Sequence, residues 1–287
     1  MPNFQTLISI LPMKKHLEKL VFVCSILLIL GGCQKDSTTN YVVPEAGSTN
    51  SSESTVVMAD ATFEGLNGYV ESYLSLSGLK SSPIPILCPS ISATLTTTFP
   101  INISLDWGTG CSSALDTTIR SGKLYISLSG KMNVPNSVAT FTFYNFVSNG
   151  NTITGTHRIT YVGLNAGNSW PRYKIFTEAK IEFPDKKFMT YRAEYVRLKS
   201  EGSATAALDD DVYRIEGSSS GKDRNGRTWS ASFPSALVKK NSCKWFSSGS
   251  VLITPQGELP RTINFGEGTC DNKATLKIGD KITTISL

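Results

Sequence analysis

From Pro83 onward the chain alternates apolar and polar residues, and the alternating runs are cut at short intervals by turn residues. Val138 to Phe146 is rich in the β-branched and aromatic residues that fit a pleated sheet, and Asn149-Gly150 separates it from a second run, Thr152 to Val162. Asn-Gly between alternating runs predicts a two-residue hairpin, because both central positions of that turn need positive φ. Tyr173 to Phe183 and Phe188 to Leu198 flank Pro184-Asp185-Lys186-Lys187, and Val212 to Ser219 and Arg227 to Phe233 flank Asp223-Arg224-Asn225-Gly226. Lys123 to Lys131, Leu252-Ile253-Thr254 before Pro255-Gln256-Gly257, Lys273 to Lys281 and Lys281 to Leu287 complete the set. Strands at hairpin spacing predict an all-β fold, an antiparallel meander packed as a sandwich or left as an open, strongly twisted sheet. One segment breaks the period. Phe63, Leu66, Val70, Tyr73 and Leu74 recur every three or four residues, which predicts one short N-terminal helix over Ala61 to Leu79 that covers a sheet edge or face. Gly65 and Gly68 each weaken that helix by about 1 kcal/mol, so tertiary contact has to hold it.

A different pattern opens the chain. Lys14, Lys15 and Lys19 precede the apolar run Leu20 to Leu30, and Gly31-Gly32-Cys33 follows. A run of eleven residues suits the core of a signal peptide and falls short of the ~20 apolar residues that a spanning helix needs. The whole phrase resembles the bacterial lipoprotein signal, in which a cysteine is acylated and the peptide ahead of it is removed. That resemblance implies a signal peptide over residues 1–32, with Met13 an alternative start, and lipidation of Cys33. Gln34-Lys35-Asp36 is similar to the export tag of Bacteroidota surface lipoproteins, and Asp36-Ser37-Thr38 and Asp116-Thr117-Thr118 to the O-glycosylation triplets of that phylum. The implied address is the outer membrane, lipid-anchored and surface-exposed, with the periplasmic face as the alternative. Residues 33–57, rich in Ser and Thr with few large apolar groups, bury too little apolar surface to order themselves and read as a lipidated tether. An all-β domain over 58–287 remains.

Charge and cysteines narrow the field. The net charge is +5, and removing Lys14, Lys15, Lys19 and Glu18 with the signal leaves about +3, spread along the chain. Without a Lys/Arg cluster interleaved with aromatics there is no nucleic-acid footprint. Cys24 leaves with the signal and Cys33 is the anchor, so the domain keeps Cys88, Cys111, Cys243 and Cys270, an even number suited to an oxidising envelope. Asp106-Trp107-Gly108-Thr109-Gly110-Cys111 is echoed by Asn264-Phe265-Gly266-Glu267-Gly268-Thr269-Cys270, and similar alternating runs follow both. The echo predicts an internal duplication, about residues 84–163 and 210–287, with one bridge per copy: Cys88–Cys111 and Cys243–Cys270. Together with Arg120 to Lys123, Ser148 to Asn151, Gly155-Thr156-His157 and Cys270 to Thr275, the first phrase resembles a group of Bacteroidota lipoproteins of undetermined function. That likeness implies no activity and no site residues.

Candidate chemistry is sparse. Gly217-Ser218-Ser219-Ser220-Gly221 matches the G-x-S-x-G pattern, but a hairpin rather than a helix follows Ser219, and His157 is the one histidine left after signal removal. Asp209, Asp210 and Asp211 could offer oxygens to a metal ion, yet they lack the spacing and turn glycine of a calcium loop and read as a solvated connection. Trp107-Gly108-Thr109-Gly110 has no lysine-bearing helix start behind it and reads as a turn, not a phosphate cradle. Trp170, Trp229 and Trp245, with Tyr144, Tyr161, Tyr173 and Tyr191, could stack on a glycan if they share one exposed face. Two functions follow. The first is a non-enzymatic, lipid-anchored envelope protein with a binding or structural role, no cofactor, and a glycan or protein partner besides the membrane. The alternative is an envelope hydrolase acting on glycans or esters, using Ser219 or a carboxylate pair drawn from Glu178, Glu182, Asp185 and Glu194.

Overall fold

Alternation becomes one open antiparallel sheet. The computed structural model describes residues 52–74, 88–93, 98–112, 118–167, 169–205 and 207–287, all within one compact unit, Tyr41–Leu287. Among these the strands are β1 (Ser90–Ala93), β2 (Ile101–Asp106), β3 (Cys111–Ser112), β4 (Ile119–Leu128), β5 (Val138–Ser148), β6 (Asn151–Leu164) and β7 (Pro171–Glu182). They continue as β8 (Phe188–Glu201), β9 (Val212–Lys222), β10 (Thr228–Lys240), β11 (Ser248–Pro255), β12 (Arg261–Glu267), β13 (Lys273–Ile278) and β14 (Lys281–Ser286). Strands neighbour one another in chain order from β1 to β14, except that short β3 continues the line of β2 along the same edge of β4. Of the two packings open to the sequence, the open sheet is the one that forms.

Turn chemistry sets the register. Asn149 and Gly150 both take positive φ (48° and 78°), the two-residue turn that matches strand twist, and Ser148 pairs directly with Asn151. The β7–β8 and β9–β10 hairpins share another geometry. In each, a backbone N–H closes back on the carbonyl three residues earlier, Lys186 on Phe183 and Gly226 on Asp223, both at 2.9 Å. The closing residue is left-handed in both cases, φ 66° at Lys186 and 76° at Gly226.

The helix, α1, runs Ser52–Leu74, so it begins nine residues before the expected Ala61 and takes in 52–57 of the expected tether. Ser52, Ser54 and β-branched Thr55-Val56-Val57 carry little helix propensity; packing of Thr55, Val56 and Val57 overrides it. Val56, Ala59, Phe63, Leu66 and Val70 are buried at three- and four-residue steps against the sheet. Phe63 stacks on Tyr191 of β8 (centroids 5.3 Å apart) and His157 of β6 (5.5 Å), while Tyr69 meets Trp107 edge-on at 5.4 Å. Arg120 of β4 donates to the Tyr69 hydroxyl at 3.2 Å and β11 also packs on α1, so strands from β4 to β11 reach one helix. Flat, that span would be roughly 34 Å at the usual strand spacing, against a helix about 10–12 Å across. The sheet therefore curls around α1, its concave face forming the core and its convex face lying in solvent.

Both disulfides join the expected partners, Cys88 to Cys111 and Cys243 to Cys270, with Cα atoms 6.2 and 5.2 Å apart. The two glycine phrases adopt the same local geometry. Asp106 Oδ1 accepts the Gly108 N–H and Asn264 Oδ1 the Gly266 N–H, each at 2.8 Å. Gly108 (φ 56°) and Gly266 (φ 85°) are left-handed, and Trp107 and Phe265 turn into the core. In both, a cysteine precedes an antiparallel strand pair, β1–β2 or β11–β12, and its partner cysteine follows that pair. The signal, Cys33, residues 34–51, the first glycosylation triplet, Asp116-Thr117 and residues 75–79 of the expected helix lie outside the described residues.

Candidate functional site

A second helical seam runs one residue beyond the apolar one: Asp60, Glu64, Asn67 and Glu71. The first three are buried, and Glu71 is half-buried. Sheet residues answer each of them. Tyr191 donates its hydroxyl to Asp60, Arg197 of β8 donates Nε–H to Glu64 at 2.7 Å, and the same guanidinium reaches Glu71. Asn67 Nδ2 donates to Glu64 at 2.8 Å, while its Oδ1 lies 3.0 Å from His157 Nε2. An amide oxygen only accepts, so Nε2 carries the imidazole proton, and Nδ1 accepts from the Thr177 hydroxyl at 2.8 Å. The donors thus run in one direction, Thr177 to His157 to Asn67 to Glu64.

Burial dominates the electrostatics of this seam. It pushes the Asp60 carboxyl up to about 7, the Tyr191 hydrogen bond pulling the other way and Glu64 adding to the rise. It lowers His157 to about 3, which keeps the ring neutral. Burial raises the Glu64 carboxyl, with Arg197 and then Lys239 opposing. Burial works against the Arg197 charge too, but Glu64 and Glu71 outweigh it and hold the guanidinium protonated, 3.2 Å above the Tyr213 ring centroid. Packed and hydrogen-bonded at each of its residues, with Asp60 Oδ2 alone buried without a partner, this seam fixes α1 within the sheet.

The remaining face of the helix is only half covered. Ser54, Met58, Ala61, Thr62 and Gly65 form the floor of a cavity of about 530 Å³. Thr118, Arg120, Ser148 and Asn149 form one wall; the β10–β11 connection, with Trp245 and Phe246, and Ile263, Leu276, Ile285 and Leu287 form the other. The volume of this groove lies within the ~300–1,000 Å³ of small-molecule pockets, and it combines apolar walls with a few polar groups.

The expected site residues scatter. Ser219 sits buried in mid-strand β9, paired with Ala193 and Ala231 on either side, with no strand-to-helix elbow, and His157 is engaged by Thr177 and Asn67. The acidic run divides. Asp211 is buried and ion-paired with Lys199 at 2.6 Å, Asp210 accepts from Thr205, and Asp209 is exposed, so this is not the wholly solvated connection expected. A charge that meets a lysine from the neighbouring strand turns inward, which composition alone does not register. Among the described residues no three His, Cys, Asp or Glu side chains gather as a metal site.

The aromatics do not share an exposed face. Trp229, Tyr161 and Tyr191 are buried, Tyr144 stands out on the convex side, Trp170 lies in the β6–β7 connection, and Trp245 lines the groove. Glu178 and Glu194 pair with Arg192, Glu182 with Lys180 and Lys186, and Asp185 with Arg224; none of the four carboxylates lines the groove. The seam and the groove floor escaped the sequence reading, although Asp60, Glu64, Asn67 and Glu71 at helical spacing were a legible signal. No protein-family model matches the chain, nor does any curated protein or solved structure.

Proposed function

We propose that this is a lipid-anchored envelope protein with a non-enzymatic, ligand-binding role, held at the outer membrane by acylated Cys33 and presenting the groove along α1 as its binding site. The observation that carries the binding role is the groove itself, a sizeable apolar-walled cavity whose floor is one face of a helix locked in place by the buried seam. The reading requires no cofactor and no nucleic acid. The lipoprotein-like phrase Leu28 to Cys33 supports the address, with surface exposure favoured by Gln34-Lys35-Asp36. The like geometry of the two disulfide-closed glycine phrases supports an internal duplication.

Metabolic labelling with a fatty-acid probe is expected to mark the protein and to spare Cys33→Ala; equal labelling of both ends the anchoring claim. For the binding role, native mass spectrometry of protein released from membranes should show a bound species that disappears in Ala61→Phe, which fills the groove floor. A bare protein in both samples argues for a purely structural role.

A further inference from the structure

The groove is a trough. Its helical floor from Ser54 to Gly65 extends about 16 Å at the α-helical rise. Met58, Ala61, Ile263, Leu276 and Ile285 give it apolar surface, and a floor of that length suits a linear chain better than a compact ring system. Charge is uneven. Of the charged side chains lining it, Glu64 is held by Arg197 at 2.7 Å, Arg120 is buried against Tyr69, and Lys239 donates to the Lys240 and Cys243 carbonyls, which leaves Lys244 as the exposed charge. The exposed Lys244 ammonium lies 5.1 Å from the Trp245 ring centroid, placing a cation beside an amphipathic aromatic.

From this combination we infer that the groove binds an acyl chain bearing an anionic head group, the chain lying along α1 and the head meeting Lys244 beside Trp245. The inference rests on the binding role proposed above and names its ligand. Each methylene removed from water contributes about 0.8 kcal/mol, and the exposed Lys244 ammonium favours an acidic head over a neutral one. The anchor brings the source within reach. Nineteen residue steps separate Cys33 from Ser52, so the groove lies at most about 65 Å of extended chain from the lipidated residue. The ligand is therefore drawn from the membrane that holds the protein.

The test uses the full chain with phosphatidylcholine vesicles containing a diazirine-bearing palmitic acid, photolysed and mapped by peptide mass spectrometry. Crosslinks are expected on the peptides carrying Met58 and Trp245, suppressed by excess palmitate but not by hexadecanol. Lys244→Glu, at an exposed position, is expected to lower that labelling roughly tenfold, the size of one lost charge-assisted contact. Ala61→Phe is expected to abolish it while the circular dichroism and melting transition stay those of the parent. Crosslinks confined to other peptides, or unchanged in a folded Ala61→Phe protein, overturn the groove as the site. Equal competition by hexadecanol overturns the anionic head. Labelling is read whether or not the protein floats with the vesicles, so loss of flotation counts against the Cys33 anchor and the membrane as source, while the crosslinks decide the groove and its ligand.

Discussion

Asp60 and His157 belong to one buried seam yet respond to pH in opposite senses. The native Asp60 carboxyl binds its proton more tightly than the unfolded one, about 7 against 3.8, so its contribution to stability is full below pH 4 and falls as pH rises through 7. His157, about 3 against 6.5, contributes fully above pH 6.5 and loses its contribution as pH falls toward 3. At ~1.4 kcal/mol per tenfold change in proton affinity, each effect has a ceiling of about 4–5 kcal/mol. Urea unfolding across pH should show Asp60→Asn flattening the loss between pH 4 and 7, and His157→Gln flattening the acid limb. Arg197→Met leaves Glu64 buried without its cation and is expected to cost about 3–5 kcal/mol. Adding Glu64→Leu should recover most of it, and a double variant as unstable as the single would show that the pair itself, rather than the orphaned charge, carries the energy.

Elements were legible where local chemistry decided them. Asn149-Gly150 specifies its turn because both residues tolerate positive φ, and the strands beside it follow from alternation. The paired hairpins give a test of that logic. Lys186 holds the left-handed position that Gly226 holds in the next hairpin, at a cost glycine avoids. Lys186→Gly is expected to stabilise by about 0.5 kcal/mol and Gly226→Ala to destabilise by about 1 kcal/mol, measured by chemical denaturation. Within α1, a Cβ at Gly68 meets no atom within 4 Å, so Gly68→Ala should stabilise by about 1 kcal/mol. The start of α1 was not legible, because β-branched Thr55, Val56 and Val57 are held in the helix by burial, which local propensity does not register.

At the scale of the molecule, the two disulfides clamp opposite ends of one long sheet, the β1–β4 end and the β11–β13 end. Each closes a loop of about two dozen residues and contributes ~3 kcal/mol by restricting the unfolded chain. Replacing either pair by serine should lower the unfolding free energy by about that amount. Because each bridge restrains one end, hydrogen exchange in the double-serine variants should rise at β4 and β12 before it rises at β7 and β8; uniform exchange would mean the ends do not open separately.

The sequence by itself determined the strands, their hairpin turns, the cysteine pairing suggested by the repeated glycine phrase, and the existence of a helix. All of these rest on residues close in the chain or on repeated local chemistry. Tertiary structure alone decided that the sheet stays open and curls, that Asp211 and Trp229 turn inward, and that Asp60, Glu64 and Asn67 meet Tyr191, Arg197 and His157. It also decided the groove. Curvature is the sum of small twists over many strands, and a buried charge is tolerated only where a distant strand supplies its partner, so neither is written in any short stretch of the chain.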